Sequence, residues 1–87
     1  MLFRSLTEFE FTETVRGLKA LAAELGLHPV PLLDRMSEKG MGEALALAAK
    51  LADLPEGEVE SRYLRCRAIA REKLIEERGD PSPVRLG

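Results

Sequence analysis

From Thr12 onward the chain repeats apolar residues at helical spacing. Val15, Leu18, Ala22 and Leu25 form one stripe, and Leu21 widens it. Gly26 predicts the stop of this first helix, because glycine enters the left-handed region at a helix end without steric cost. After the bend Gly26-Leu27-His28-Pro29, a short second helix is predicted over roughly Pro31 to Ser37, with proline in the first turn, where its missing N–H costs nothing. Gly40-Met41-Gly42 marks the next break. A third helix follows from about Glu43 to Ala52, with Ala44, Ala46, Ala48, Ala49 and Ala52. Such small side chains let neighbours approach closely and predict an enclosed, central element. Pro55 and Gly57 punctuate the turn after Asp53.

The last helix is predicted from Glu56 or Glu58 to Arg78, and is the longest. Val59, Tyr63, Cys66, Ala70 and Leu74 make its main apolar row, and Leu64, Ala68 and Ile75 make a second beside it. That double row is wider than three short neighbours can cover, so a homodimer through this helix is expected. The opening stretch leaves two readings. Alternation at Leu6, Phe9 and Phe11 fits a short strand or arm, while Ser5 or Thr7, each with Glu three positions on, fits a capped helix. Gly79 closes the last helix, and residues 80–87 read as a polar, proline-rich tail. The expected fold is all-α, a compact bundle of about four helices in a single domain over residues 1–79. Val15, Leu18, Leu25, Leu51, Leu54, Val59, Tyr63 and Cys66 are expected mostly inside.

Composition narrows the function classes. Eighty-seven residues hold one core, and low β-propensity (four Val, two Ile, one Tyr, no Trp) supports the helical class. Thirteen basic against fifteen acidic residues give a net charge of −2, which argues against a general nucleic-acid coat or a cationic membrane binder. A single cysteine excludes an internal disulfide framework. No apolar stretch reaches the ~20 residues of a membrane span, so a cytoplasmic protein is expected. The absence of Asn and Gln beside nine Arg and twelve Glu fits heat adaptation or a GC-rich genome equally.

No active-site pattern emerges. His28 has no second ligand of the right type nearby, and Cys66 lies on an apolar row, where a thiol acts as a small hydrophobe. The acids Glu8, Glu10, Glu13, Asp34 and Asp53 are scattered, so neither an enzyme, a cofactor nor a metal is expected. One segment stands out. Between Ser61 and Lys73, Arg62, Arg65, Arg67, Arg71 and Lys73 face only Glu72, a local charge of +4. Arg62 with Arg65, and Arg67 with Arg71, share helical sides and suit phosphate neutralisation. The alternative is a solvated face, with Arg62 paired to Glu58 and Lys73 to Glu76 or Glu77.

The run AAKLADLPEGEVESRYLRCRAIAREKL resembles the helix-turn-helix of region four of bacterial sigma factors, especially the extracytoplasmic-function class. Leu54, Pro55, Gly57, Val59, Ser61, Arg62, Arg65 and Arg67 stand at matching places. The resemblance implies that Ala49 lets the two helices touch, that Leu51 and Leu54 fill the corner, and that Val59 and Tyr63 anchor the recognition helix. It also implies DNA contacts from Ser61, Arg62, Arg65, Arg67 and Arg71. The chain departs from the family at Asp53, where glycine is usual, and at Glu58 and Glu60, whose carboxylates repel a DNA backbone. Upstream, Ala22 and Gly26 also have helix-turn-helix spacing, but Pro29, Pro31 and Asp34 favour a core-forming hairpin there. Two functions are therefore expected. One is a small transcription-associated protein binding duplex DNA through its last helix. The other is a non-enzymatic protein-interaction module, a regulator of the transcription machinery or a phage assembly factor, with no nucleic-acid contact.

Overall fold

A computed structural model describes residues 8–78, and these form four α-helices with no strand among them. They are α1 (Glu8–Leu25), α2 (Pro29–Lys39), α3 (Met41–Ala52) and α4 (Glu56–Arg78). The all-α fold expected from apolar spacing is present. Residues 9–11 are helical, so the alternation of Phe9 and Phe11 is the start of α1 rather than a strand. Capping by Ser5 or Thr7, the Gly79 stop and the tail lie outside the described residues.

Local chemistry sets each boundary. Gly26 adopts φ 74°, the Leu27 N–H donates to the Ala22 carbonyl at 2.8 Å and the Gly26 N–H to the Ala23 carbonyl at 3.2 Å. These bonds satisfy carbonyls that the end of α1 would otherwise leave open. The second helix begins earlier than its prolines suggest, because His28 is its N-cap: the Val30 N–H donates to His28 Nδ1 at 3.3 Å. Gly40 separates α2 from α3 at φ 99°. The third helix closes like the first. Asp53 takes φ 60°, ψ 46°, and the Leu54 N–H donates to the Ala49 carbonyl at 2.9 Å. Aspartate tolerates this left-handed conformation better than most non-glycine residues, so the turn closes here without a glycine. The Pro55 carbonyl then accepts from the Glu58 and Val59 N–H groups and starts α4.

The largest contacts join α1 to α4 and α2 to α3. The core gathers Leu18, Leu21, Ala22, Leu32, Ala44, Leu45, Ala48, Ala49, Val59, Tyr63 and Cys66. Val15, Leu25 and Leu54 are no more than partly exposed, in keeping with the expectation that they lie mostly inside. Two expectations need correction. Leu51 is 52 % exposed, because it lies roughly a quarter-turn from the centre of the arc that α3 buries. The third helix is not enclosed: Ala44, Ala48 and Ala49 are buried, while Gly42, Glu43, Lys50 and Leu51 face outward. A close helix approach lies elsewhere, where a Cβ added to Gly17 of α1 would stand 3.0 Å from the Arg67 Cα of α4.

Candidate functional site

Helical geometry divides α4 into a buried row, two flanks and an outer face. Val59, Tyr63, Cys66, Ala70 and Leu74 are buried, as their spacing predicts. The basic strip does not form one surface. Arg62 leans toward α1, with Nη1 3.0 Å from Glu24 Oε2 and Nη2 2.9 Å from Glu58 Oε2. The Glu58 pair is the one expected from i,i+4 spacing. Arg67 lies on the other flank, its Nε donating to Glu13 Oε2 at 3.1 Å. Ser61, Arg65 and Arg71 are exposed, and among the described residues neither Arg65 nor Arg71 forms an ion pair. Glu58 and Glu60 are also exposed near the start of the helix. The five residues singled out for DNA contact are thus split: three are open to solvent, and two are held by carboxylates.

Two of those carboxylates escape sequence reasoning. Glu13 is only 5 % exposed, although a charged group leaves water at a cost unless it is paired. Its neighbours on the same arc of α1 are Thr14, Gly17, Leu18 and Leu21, all buried. An acid flanked by small and apolar residues at i+1, i+4, i+5 and i+8 is the signal that could have identified it. Glu24 lies at the edge of that arc and serves two groups, Arg62 and the Cys66 thiol, whose Sγ is 3.6 Å from Glu24 Oε1. Farther along, Arg16 meets Glu77 at 3.0 Å, and among the described residues Lys73 forms no ion pair with Glu76 or Glu77, the pairing expected of a solvated face.

These contacts set the electrostatics. Burial raises the Cys66 thiol above its ordinary value, and the Glu24 hydrogen bond raises it further, so the neighbouring arginines do not activate it. Burial likewise raises the Tyr63 phenol. Burial acts to lower Arg67, but Tyr63 and Glu13 outweigh it and leave the guanidinium raised. The exposed Glu77 is lowered by its hydrogen bond from Arg16.

An open groove of about 740 Å³ is lined by Phe11 and Val15 of α1, Leu33 and Met36 of α2, Met41, and Tyr63 with Arg67. The buried Tyr63 hydroxyl has no hydrogen-bond partner of standard geometry among the described residues, although Thr14 and Arg67 lie near enough to act against the effect of burial on it. Among the described residues, no group of three or more His, Cys, Asp or Glu side chains is placed to hold a metal. No helix there is long and apolar enough to cross a membrane. Comparisons with protein-family models, with characterised proteins and with solved structures return no match for this chain.

Proposed function

We propose that this chain is a non-enzymatic helical protein-interaction module. The supporting observation is that two arginines of its basic strip are already paired within the fold: carboxylates at Glu13, Glu24 and Glu58 hold Arg67 and Arg62. A phosphate would have to displace those partners. Meanwhile Phe11, Val30, Leu51, Leu64 and Ile69 are each at least half exposed, which leaves apolar side chains on all four helices free to meet a protein partner. Titration of a labelled DNA duplex at low salt tests the reading, with no saturable binding expected. Binding whose affinity falls steeply with salt overturns it.

The second reading is a sigma-like helix-turn-helix that binds duplex DNA. It draws support from Asp53, which is left-handed at the turn position where the family uses glycine, and from the exposed Ser61, Arg65 and Arg71. Under it, Arg65→Gln weakens binding and flattens the log affinity–log salt slope by about 0.9. Replacing Glu58 and Glu60 by glutamine tightens binding, since both carboxylates lie near the phosphates.

A further inference from the structure

We propose that the module's partner is a second copy of the same chain, docked antiparallel along the outer face of α4. This rests on the interaction reading and names the surface that serves it. Ser61, Leu64, Ala68, Arg71 and Ile75 follow one another at three- and four-residue steps, the spacing of a helix–helix seam. The row lies away from Val59, Tyr63, Cys66 and Ala70, which face the core. Leu64 is 54 % exposed, Ala68 and Arg71 are exposed, and Ile75 is half-buried. Within the described residues this face is open to solvent from Ser61 to Arg71. The row spans about 21 Å at 1.5 Å per residue.

The occupant follows from complementarity. With two copies antiparallel and Leu64 facing Ile75, Ala68 faces Arg71, so the long arginine stem lies over a methyl-sized side chain. Two-fold symmetry makes each contact twice. Arg65 and Glu72 each follow a row position by one residue, which places them on the same flank, and same-flank residues meet across an antiparallel seam. Both are exposed and free of ion pairs among the described residues, and in this register they face each other. On the opposite flank Arg67 approaches the second copy's Arg71, but Glu13 already neutralises it. A parallel pair would set Arg71 against Arg71 and Ala68 against Ala68, giving repulsion and a gap. The antiparallel register also covers Ser61 and Arg65, so a dimer and a DNA complex compete for one face.

Sedimentation equilibrium of the full chain, beside Arg65→Glu, Glu72→Arg and the double variant, tests this. A seam this short falls below the roughly 800 Å² per partner of standard interfaces. Reversible dimerisation is therefore expected at high micromolar concentration. Each single reversal should weaken it about tenfold or more, and the double reversal should restore it to within about threefold. All four proteins should share one helical circular dichroism spectrum, since the substituted positions are exposed. A wild-type protein that stays monomeric, or a double reversal that fails to restore association, overturns the proposal. The duplex titration separates the two failures: a monomer without DNA affinity sinks the dimer alone, and a monomer with salt-dependent affinity sinks the interaction reading as well.

Discussion

At the scale of single side chains, Tyr63 and Cys66 occupy neighbouring positions on the buried row of α4 but meet different surroundings. Tyr63 is only 3 % exposed, and its buried hydroxyl has no hydrogen-bond partner of standard geometry among the described residues. A buried, unsatisfied hydroxyl costs more than its removal, so Tyr63→Phe should stabilise the fold by about 1 kcal/mol. Urea denaturation of the two proteins measures it, and a loss of stability would show that the hydroxyl is satisfied in solution. Cys66 does have a partner, the Glu24 carboxylate, which together with burial holds the thiol in its neutral form. Its reaction with a disulfide reagent near neutral pH should be slower than that of an unfolded thiol, and Glu24→Gln should speed it. Sequence placed both residues on the apolar row. It could not show Glu24 beside Cys66, because the two are 42 positions apart and meet only when α1 packs on α4.

Among the helices, the α1–α4 crossing contributes most to the arrangement, and Gly17 permits it. Alanine at this position would gain helix propensity, about 1 kcal/mol. It would also push a methyl to 3.0 Å from the Arg67 Cα, a backbone atom that cannot rotate away. Overpacking of this kind costs about 1–3 kcal/mol, so Gly17→Ala should destabilise the protein on balance. A rise in melting temperature would show that the helices separate freely. The hairpin of α2 and α3 yields a paired test. Leu32 is fully buried, so Leu32→Ala should cost about 2–5 kcal/mol. Leu51→Ala should cost less than about 1 kcal/mol, because half of that side chain already meets water. If the two losses were equal, the edge position assigned to Leu51 would be wrong.

For the molecule as a whole, alkaline pH should be the destabilising direction. Cys66 and Tyr63 both have raised values when folded, so the fold favours their neutral forms. Their contribution is complete below the unfolded thiol and phenol values, about 8.5 and 10, and is lost as pH rises through the higher folded ones. The denaturation midpoint should therefore decline above about pH 8.5, and Tyr63→Phe combined with Cys66→Ala should flatten that decline. A decline of equal steepness in the double variant would place its origin elsewhere. The Glu77–Arg16 pair acts in the opposite sense. Its lowered carboxyl contributes above the ordinary glutamate value and loses that contribution on acidification, but both groups are at the surface, where such pairs have little effect.

The sequence by itself determined the helical class, four elements and most of their ends. Those depend on local quantities: the apolar period, the left-handed turns at Gly26 and Asp53, and the prolines near helix starts. It also identified the buried row of α4 from Val59 to Leu74, since one long helix presents its periodicity plainly. Which residues meet across helices was decided only by the tertiary structure. Arg62 and Arg67 look alike in sequence to Arg65 and Arg71, yet the first two reach carboxylates on α1 and the last two do not. Leu51 satisfies the same spacing rules as residues that are buried, and only the position of α3 against its neighbours leaves it outside. Period and propensity are properties of one helix, whereas pairing and burial depend on where a second helix lies. The crossing of α1 over α4 at Gly17 is what fixes that second position.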